Sequence, residues 1–116
     1  MSACPLRILI VDDDERALIE LEHLLETEGY STVTAWSGRE GLALSRKMQF
    51  DLILIDEQLA DIEAATFLDT ISHTQPGAVP LLVHSCSNRR RPAATEAVCK
   101  WEPGEVTARI RSFLAA

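Results

Sequence analysis

A run of four consecutive aliphatic residues, Leu52–Ile55, most constrains what this chain can fold into. Asp51 and Asp56 bound the run, so it has the length of a single strand rather than of a helix. A strand that is apolar on both faces must be covered on both faces, as in the middle of a parallel sheet with helices on either side. The run therefore predicts a buried central strand.

Short β-branched runs and helical patterns alternate along the whole sequence. Apolar residues that recur with a period near 3.6, together with end signals such as Ser37-x-x-Glu40 and Gly29, indicate the helices. The predicted strands are Arg7–Val11, Ser31–Ala35, Asp51–Asp56, Pro80–His84 and Glu96–Cys99, and the predicted helices are Asp14–Glu28, Gly38–Met48, Glu63–His73 and Pro103–Leu114. This alternation predicts an α/β fold with a doubly wound, five-stranded parallel sheet.

The connection between Cys86 and Glu96 departs from the alternation. It is too short for a complete parallel crossover with its helix, it lacks an apolar stripe, and Pro92 lies in its middle. We therefore predict a loop or a single turn there, with the fourth helix short or absent. The basic run Arg89–Arg91 in this connection favours a solvated loop. The alternative is that the run forms a binding patch for an acidic protein or for nucleic acid.

Composition limits the class of protein. The 116 residues fit one domain, and 47% hydrophobic with 25% charged residues excludes the disordered and fibrous classes. The net charge of −7 argues against nucleic acid as the main partner. The charge is uneven, because residues 1–63 hold 14 acidic and 5 basic side chains whereas residues 64–116 hold 4 and 6.

The cysteines and the apolar runs bear on the compartment. Cys4, Cys86 and Cys99 form no C-x-x-C pair, and an odd, low count favours reduced thiols. No apolar run reaches the length of a membrane span, and Leu6–Val11 is too short for a signal-peptide core. These features predict a cytoplasmic protein.

Acidic residues follow two strands that the predicted order 2-1-3-4-5 makes neighbours. Asp12 and Asp13 end the first strand and Asp56 ends the third, and ligands of doubly wound sheets bind at this switch point. Clustered carboxylates repel one another, and an all-oxygen acidic site suits Mg²⁺. The alternative is that Asp12, Asp13 and Asp14 only cap the following helix, a role that fits Asp14.

Two further polar residues are expected at the same sheet edge. Ser85 ends the fourth strand and Lys100 follows the fifth. A carboxylate beside Mg²⁺ and an ammonium can act as a nucleophile toward phosphorus, and a hydroxyl can hydrogen-bond a phosphoryl oxygen. The predicted chemistry is an aspartyl phosphate on Asp56, with Ser85 and Lys100 assisting.

From Ile8 to Leu114 the sequence resembles the receiver domain of two-component response regulators. The resemblance rests on Ile8–Asp14, on Asp51–Asp56, on Ser85 and on Lys100. It implies a flavodoxin-like (CheY-like) fold and a single receiver domain over residues 1–116. It also implies a regulatory phosphoacceptor domain that assists its own phosphotransfer and is not otherwise an enzyme.

The resemblance implies ligands and partners as well. Mg²⁺ would be held by Asp13, Asp56 and the backbone carbonyl of Gln58, with Asp12 acting through water. The phosphoryl group would come from a histidine kinase or a phosphotransfer protein. The output would pass to a downstream protein partner or a homodimer, with neither a membrane nor direct contact to nucleic acid expected.

Several positions depart from the family pattern. Ala60 stands where receivers usually have proline, and Ala64 where they have glycine. Trp101 replaces the proline after the lysine, and Ala97 replaces the switch aromatic. The rival hypothesis is therefore a pseudo-receiver, a binding or dimerisation module without phosphorylation switching. A flavodoxin-like cofactor binder is disfavoured, because three acids would repel a phosphate-bearing ligand.

Overall fold

The computed structural model describes residues 5–85 and 97–114. The strands in these ranges are β1 (Arg7–Val11), β2 (Ser31–Ala35), β3 (Leu52–Asp56), β4 (Val79–His84) and β5 (Val98–Cys99). The helices are α1 (Glu15–Thr27), α2 (Gly38–Lys47), α3 (Ala64–Thr74) and α4 (Pro103–Leu114). Each predicted element is present, with ends that differ by two residues or fewer.

The five strands form one parallel sheet in the order β2-β1-β3-β4-β5. The predicted α/β fold and strand order are therefore confirmed. β1 lies between β2 and β3, and its last residue, Val11, is paired with Ile55. This register brings the residues that follow β1 beside Asp56, at the switch point of the sheet.

Helices cover both faces of the sheet, as the aliphatic run Leu52–Ile55 requires. Leu52 and Leu54 face the side of α1 and α4, and Ile53 and Ile55 face the side of α2 and α3. All four are fully buried. Burying one such side chain stabilises the fold by roughly 1.5–3 kcal/mol, so β3 anchors the two core layers and fixes the position of Asp56.

Helix caps place the loops around the carboxyl edge of the sheet. The Asp14 carboxylate accepts hydrogen bonds from the N–H groups of Arg16 and Ala17, which confirms its predicted capping role for α1. Ser37 caps α2 by accepting from the Glu40 N–H at 3.1 Å. The Glu40 carboxylate accepts from the Trp36 N–H at 2.7 Å. The predicted capping box is thus formed one residue out of its usual register.

Two features differ from expectation and one lies beyond the described ranges. Cys99 is disulfide-bonded, so the prediction of reduced thiols is wrong for Cys99. β5 is only two residues long and pairs with Val83 and His84 alone. The predicted loop at 87–95, with Arg89–Arg91, falls outside the described residues.

Within the described ranges, no helix has the length and apolar character needed to cross a membrane.

Candidate functional site

Three carboxylates meet where β1 and β3 end. Ligand oxygens of Asp12, Asp13 and Asp56 all lie within 4.8 Å of one another. Asp12 and Asp56 are buried, whereas Asp13 faces solvent. The expected convergence is therefore present, and it follows from the parallel pairing of β1 with β3.

Lys100 lies between the two buried carboxylates. Its Nζ is 2.9 Å from Asp12 Oδ2 and 3.3 Å from Asp56 Oδ2. The lysine follows β5 directly, and its N–H donates to the carbonyl of His84, so the β4–β5 pairing carries it to the acidic edge. One ammonium thus faces two carboxylates in a site that excludes most water.

Burial disturbs the protonation of Asp12. It raises the pKa of Asp12 from 3.8 to about 6, because a carboxylate without water is costly. Hydrogen bonds from the Asp14 N–H and from Lys100 lower this pKa, and the charge of Asp56 raises it. Asp12 therefore holds a proton more readily than an exposed aspartate does.

The Lys100 ammonium is held in its charged form. Burial alone lowers the pKa of Lys100, but the hydrogen bond to Asp12 and the charges of Asp12 and Asp56 outweigh it, so the pKa is raised above 10.5. The ring of Trp101 lies next to it, with Lys100 Nζ 5.7 Å from the ring centroid. This is cation–π distance, so Trp101 lies beside the site.

The loop between β3 and α3 borders the acidic cluster. The Gln58 N–H donates to Asp56 Oδ1 at 3.2 Å, and the Ala60 N–H donates to Asp13 Oδ2 at 3.0 Å. With the Asp14 N–H, which donates to Asp12 Oδ1 at 2.9 Å, backbone donors therefore orient all three carboxylates. Ser85 comes directly after β4 and is exposed at the same edge of the sheet.

One residue of this loop was not predicted from the sequence. The Asp61 carboxylate accepts hydrogen bonds from the N–H groups of Gly38 and Arg39, at 2.9 and 3.0 Å, and so caps α2 from a distant part of the chain. Sequence patterns for helix capping involve only residues near the helix end, and for α2 they indicated Ser37. Asp61 and Gly38 are 23 positions apart, and no sequence pattern predicts a contact over that separation.

The donor set fits a hard divalent cation. Its side-chain donors are carboxylate oxygens, and the exposed Asp13 leaves one side open for water ligands. Mg²⁺ favours this combination of few carboxylates and several waters. A cation would also relieve the repulsion among the three acids.

The parallel sheet thus carries three acids at its switch point, with the buried Lys100 ammonium between two of them. Residues 8–100 match the family model of the response regulator receiver domain. The chain belongs to this family, and so it is a regulatory domain of two-component systems.

Curated relatives are longer proteins. The chain is 37% identical over 83 residues to the transcriptional regulatory protein GlrR of Escherichia coli, a match that covers 72% of this chain and 18% of GlrR. It is 38% identical over 76 residues to the transcriptional regulatory protein ZraR of Salmonella typhimurium, covering 66% and 17%. The matched region is thus less than a fifth of the length of either relative.

Solved structures share the whole fold. A CheY-like receiver domain protein from Methanospirillum hungatei superposes with a TM-score of 0.84 at 29% identity, covering 97% of this chain and 95% of that one. The response regulator TrrA of Thermotoga maritima, solved in complex with Mg²⁺-BeF, gives a TM-score of 0.80 at 26% identity, covering 93% and 98%.

Proposed function

We propose that Asp56 accepts a phosphoryl group from a histidine kinase or a phosphotransfer protein, with Mg²⁺ as cofactor. The observation that carries the proposal is the position of Asp56, at the end of a buried strand and beside Asp12, Asp13 and Lys100. Residues 1–116 would act as a single receiver domain.

The transfer is a displacement at phosphorus. An Asp56 carboxylate oxygen attacks the phosphorus of a phosphohistidine, the P–O bond forms, and the P–N bond breaks with its electron pair going to the imidazole. The product is a mixed carboxylic–phosphoric anhydride. Attack by a carboxylate oxygen requires charge compensation around the phosphoryl group rather than a general base.

Each neighbour has a defined part in this reaction. Mg²⁺, held by Asp13, Asp56 and the backbone carbonyl of Gln58, with Asp12 acting through water, would offset charge on the phosphoryl oxygens. Lys100 supplies a second positive charge from inside the fold. Ser85, at the same sheet edge, donates a hydrogen bond to a phosphoryl oxygen.

The relatives support this assignment. TrrA has been solved with Mg²⁺-BeF, and a receiver site of the same fold is therefore compatible with that group. GlrR and ZraR are named transcriptional regulatory proteins. For this chain we propose an output through a downstream protein partner or a homodimer.

Phosphorylation is tested by mass spectrometry after incubation with acetyl phosphate and Mg²⁺. The expected result is one added phosphoryl group on the wild type and none on Asp56→Asn. Asp51→Asn is the matched control, because Asp51 lies at the opposite end of β3 and is exposed. An unmodified wild type, or an adduct that persists in Asp56→Asn, contradicts the proposal.

A second candidate is a pseudo-receiver that binds Mg²⁺ without switching. The observation that favours it is the half-buried Ala97, which has no ring to move where other receivers carry an aromatic residue. Amide hydrogen exchange over residues 97–107, with and without Mg²⁺ and beryllofluoride, separates the two. Changed exchange there supports switching, and unchanged exchange in a protein saturated with beryllofluoride supports the pseudo-receiver.

A further inference from the structure

Two carboxylates hold the loop between β3 and α3, one from each side. Asp13 Oδ2 accepts the Ala60 N–H at 3.0 Å. Asp61, the next residue, uses both of its carboxylate oxygens to accept the N–H groups of Gly38 and Arg39. Consecutive residues of one loop thus join the acidic site to the first turn of α2.

The contact between the loop and α2 is close. A methyl group at Gly38 would lie 1.9 Å from Ile62 Cγ2 and 3.3 Å from Asp61 Oδ1. The hydrogen bonds from Arg39 and Gly38 also hold the pKa of Asp61 below its usual value, so its carboxylate stays charged at neutral pH. Asp61 is exposed, and its two bonds are made at the helix end that favours negative charge.

The Ala60–Asp13 bond depends on a departure from the family pattern. Receivers usually have proline at this position, and proline has no N–H to donate. In this chain the donor exists, and it engages one oxygen of Asp13. The other oxygen remains available, so the bond orients the exposed carboxylate of the cluster before any cation arrives.

We propose that Asp61 is a positioning residue that fixes the loop on α2 and, through the Ala60 N–H, holds Asp13 ready for the cation. This rests on the proposed Mg²⁺ site. Asp61 contacts neither cation nor phosphoryl group. Residues that orient a metal ligand typically change metal affinity by roughly 10–100-fold when removed, and we expect about tenfold here, because Asp61 acts through one intervening bond.

The test uses Asp61→Ala, Ala60→Pro and the double variant, with Asp69→Ala as control. Asp69 is an exposed acid on α3, so its removal changes the net charge equally. Mg²⁺ affinity is measured by calorimetry at pH 8, and amide exchange of Gly38, Arg39 and Ala60 is measured without metal. Asp61→Asn is the milder variant, because it keeps one oxygen acceptor.

Each single variant at positions 60 and 61 is expected to weaken Mg²⁺ binding about tenfold, and the double variant no further, because both act on one bond. Asp61→Ala is also expected to speed exchange of all three amides. A role limited to capping α2 would leave Mg²⁺ affinity at the level of Asp69→Ala, and that result overturns the proposal, as would additive losses in the double variant.

Failure of the proposed function would give results that differ from failure of the positioning role of Asp61. If the wild type binds no Mg²⁺ and gains no phosphoryl group, both proposals fall. If the wild type binds Mg²⁺ and is phosphorylated while Asp61→Ala binds Mg²⁺ equally well, only the positioning role of Asp61 falls.

Discussion

Lys100 and Asp12 are 88 positions apart in the chain, and their side chains meet at 2.9 Å in the interior. The pair joins β1 to the turn after β5, across the breadth of the sheet. Asp56 shares the same ammonium at 3.3 Å. Within residues 5–85 and 97–114, Lys100 is therefore the side chain that balances the charge of these two carboxylates until a cation binds.

Lys100→Met is expected to destabilise the metal-free protein by about 3–5 kcal/mol at pH 8, because it leaves two buried carboxylates without a counter-charge. Urea unfolding measures the loss. Lys47→Met, at an exposed position on α2, is the control and is expected to change stability little. The loss from Lys100→Met should shrink at pH 5, where Asp12 is protonated. Equal effects of the two variants would contradict this account.

The raised pKa of Asp12 should make the stability of the metal-free protein depend on pH. Its folded value of about 6 lies above 3.8, so between these values the folded state binds more protons than the unfolded state. Proton binding by Asp12 therefore stabilises the folded state by up to about 3 kcal/mol, and this stabilisation is fully present below pH 4. It is lost as the pH rises through 6.

Asp12→Asn isolates this contribution, because its side chain carries no ionisable proton. Relative to wild type it should be increasingly stabilising from pH 4 to pH 8 in urea titrations without metal. Asp69→Asn, at an exposed acid on α3, is the charge-matched control. A wild-type-minus-variant difference that is flat with pH would rule out the assigned protonation of Asp12.

Mg²⁺ binding should tighten as the pH rises through about 6, because Asp12 must lose its proton for the site to reach full negative charge. Calorimetry from pH 5 to pH 8 measures the dependence and the protons released. In Asp12→Asn the step near pH 6 should be absent. Its persistence there would assign the titration to another group.

Gly38→Ala should destabilise the protein by about 1–3 kcal/mol, because the added methyl group would overlap Ile62. Gly104→Ala is the matched control, since nothing lies within 4 Å of its added methyl group at the start of α4. That variant should be neutral or gain up to about 1 kcal/mol. Thermal unfolding of both variants measures whether stability requires the close contact between Gly38 and Ile62.

The parts of the site that sequence analysis predicted are those set by local patterns and strand order. Asp12 and Asp56 end recognisable strands, and parallel pairing then forces them together. Lys100 could be placed because a strand precedes it. Ser85 and Gln58 stay predictions, because their roles depend on a bound phosphoryl group and cation.

The remaining features depend on contacts between distant segments. Asp61 caps a helix that begins 23 positions earlier, and no local pattern marks such a partner. A tryptophan directly after a strand is expected to pack against the core, yet Trp36 is 66% exposed. Its direction is set by the turn into α2, where its N–H bonds Glu40. The pKa of Asp12 likewise follows from burial that composition does not reveal.

The short β5 has a consequence for association between copies. Among the described strands, only Val83 and His84 of β4 have a partner on the β5 side, and no described strand pairs with the first part of β4 there. Val79 directs its N–H to β3, and Pro80 therefore occupies a position whose N–H would point outward. A proline there offers no donor to an approaching strand, which hinders the edge-to-edge pairing that starts aggregation.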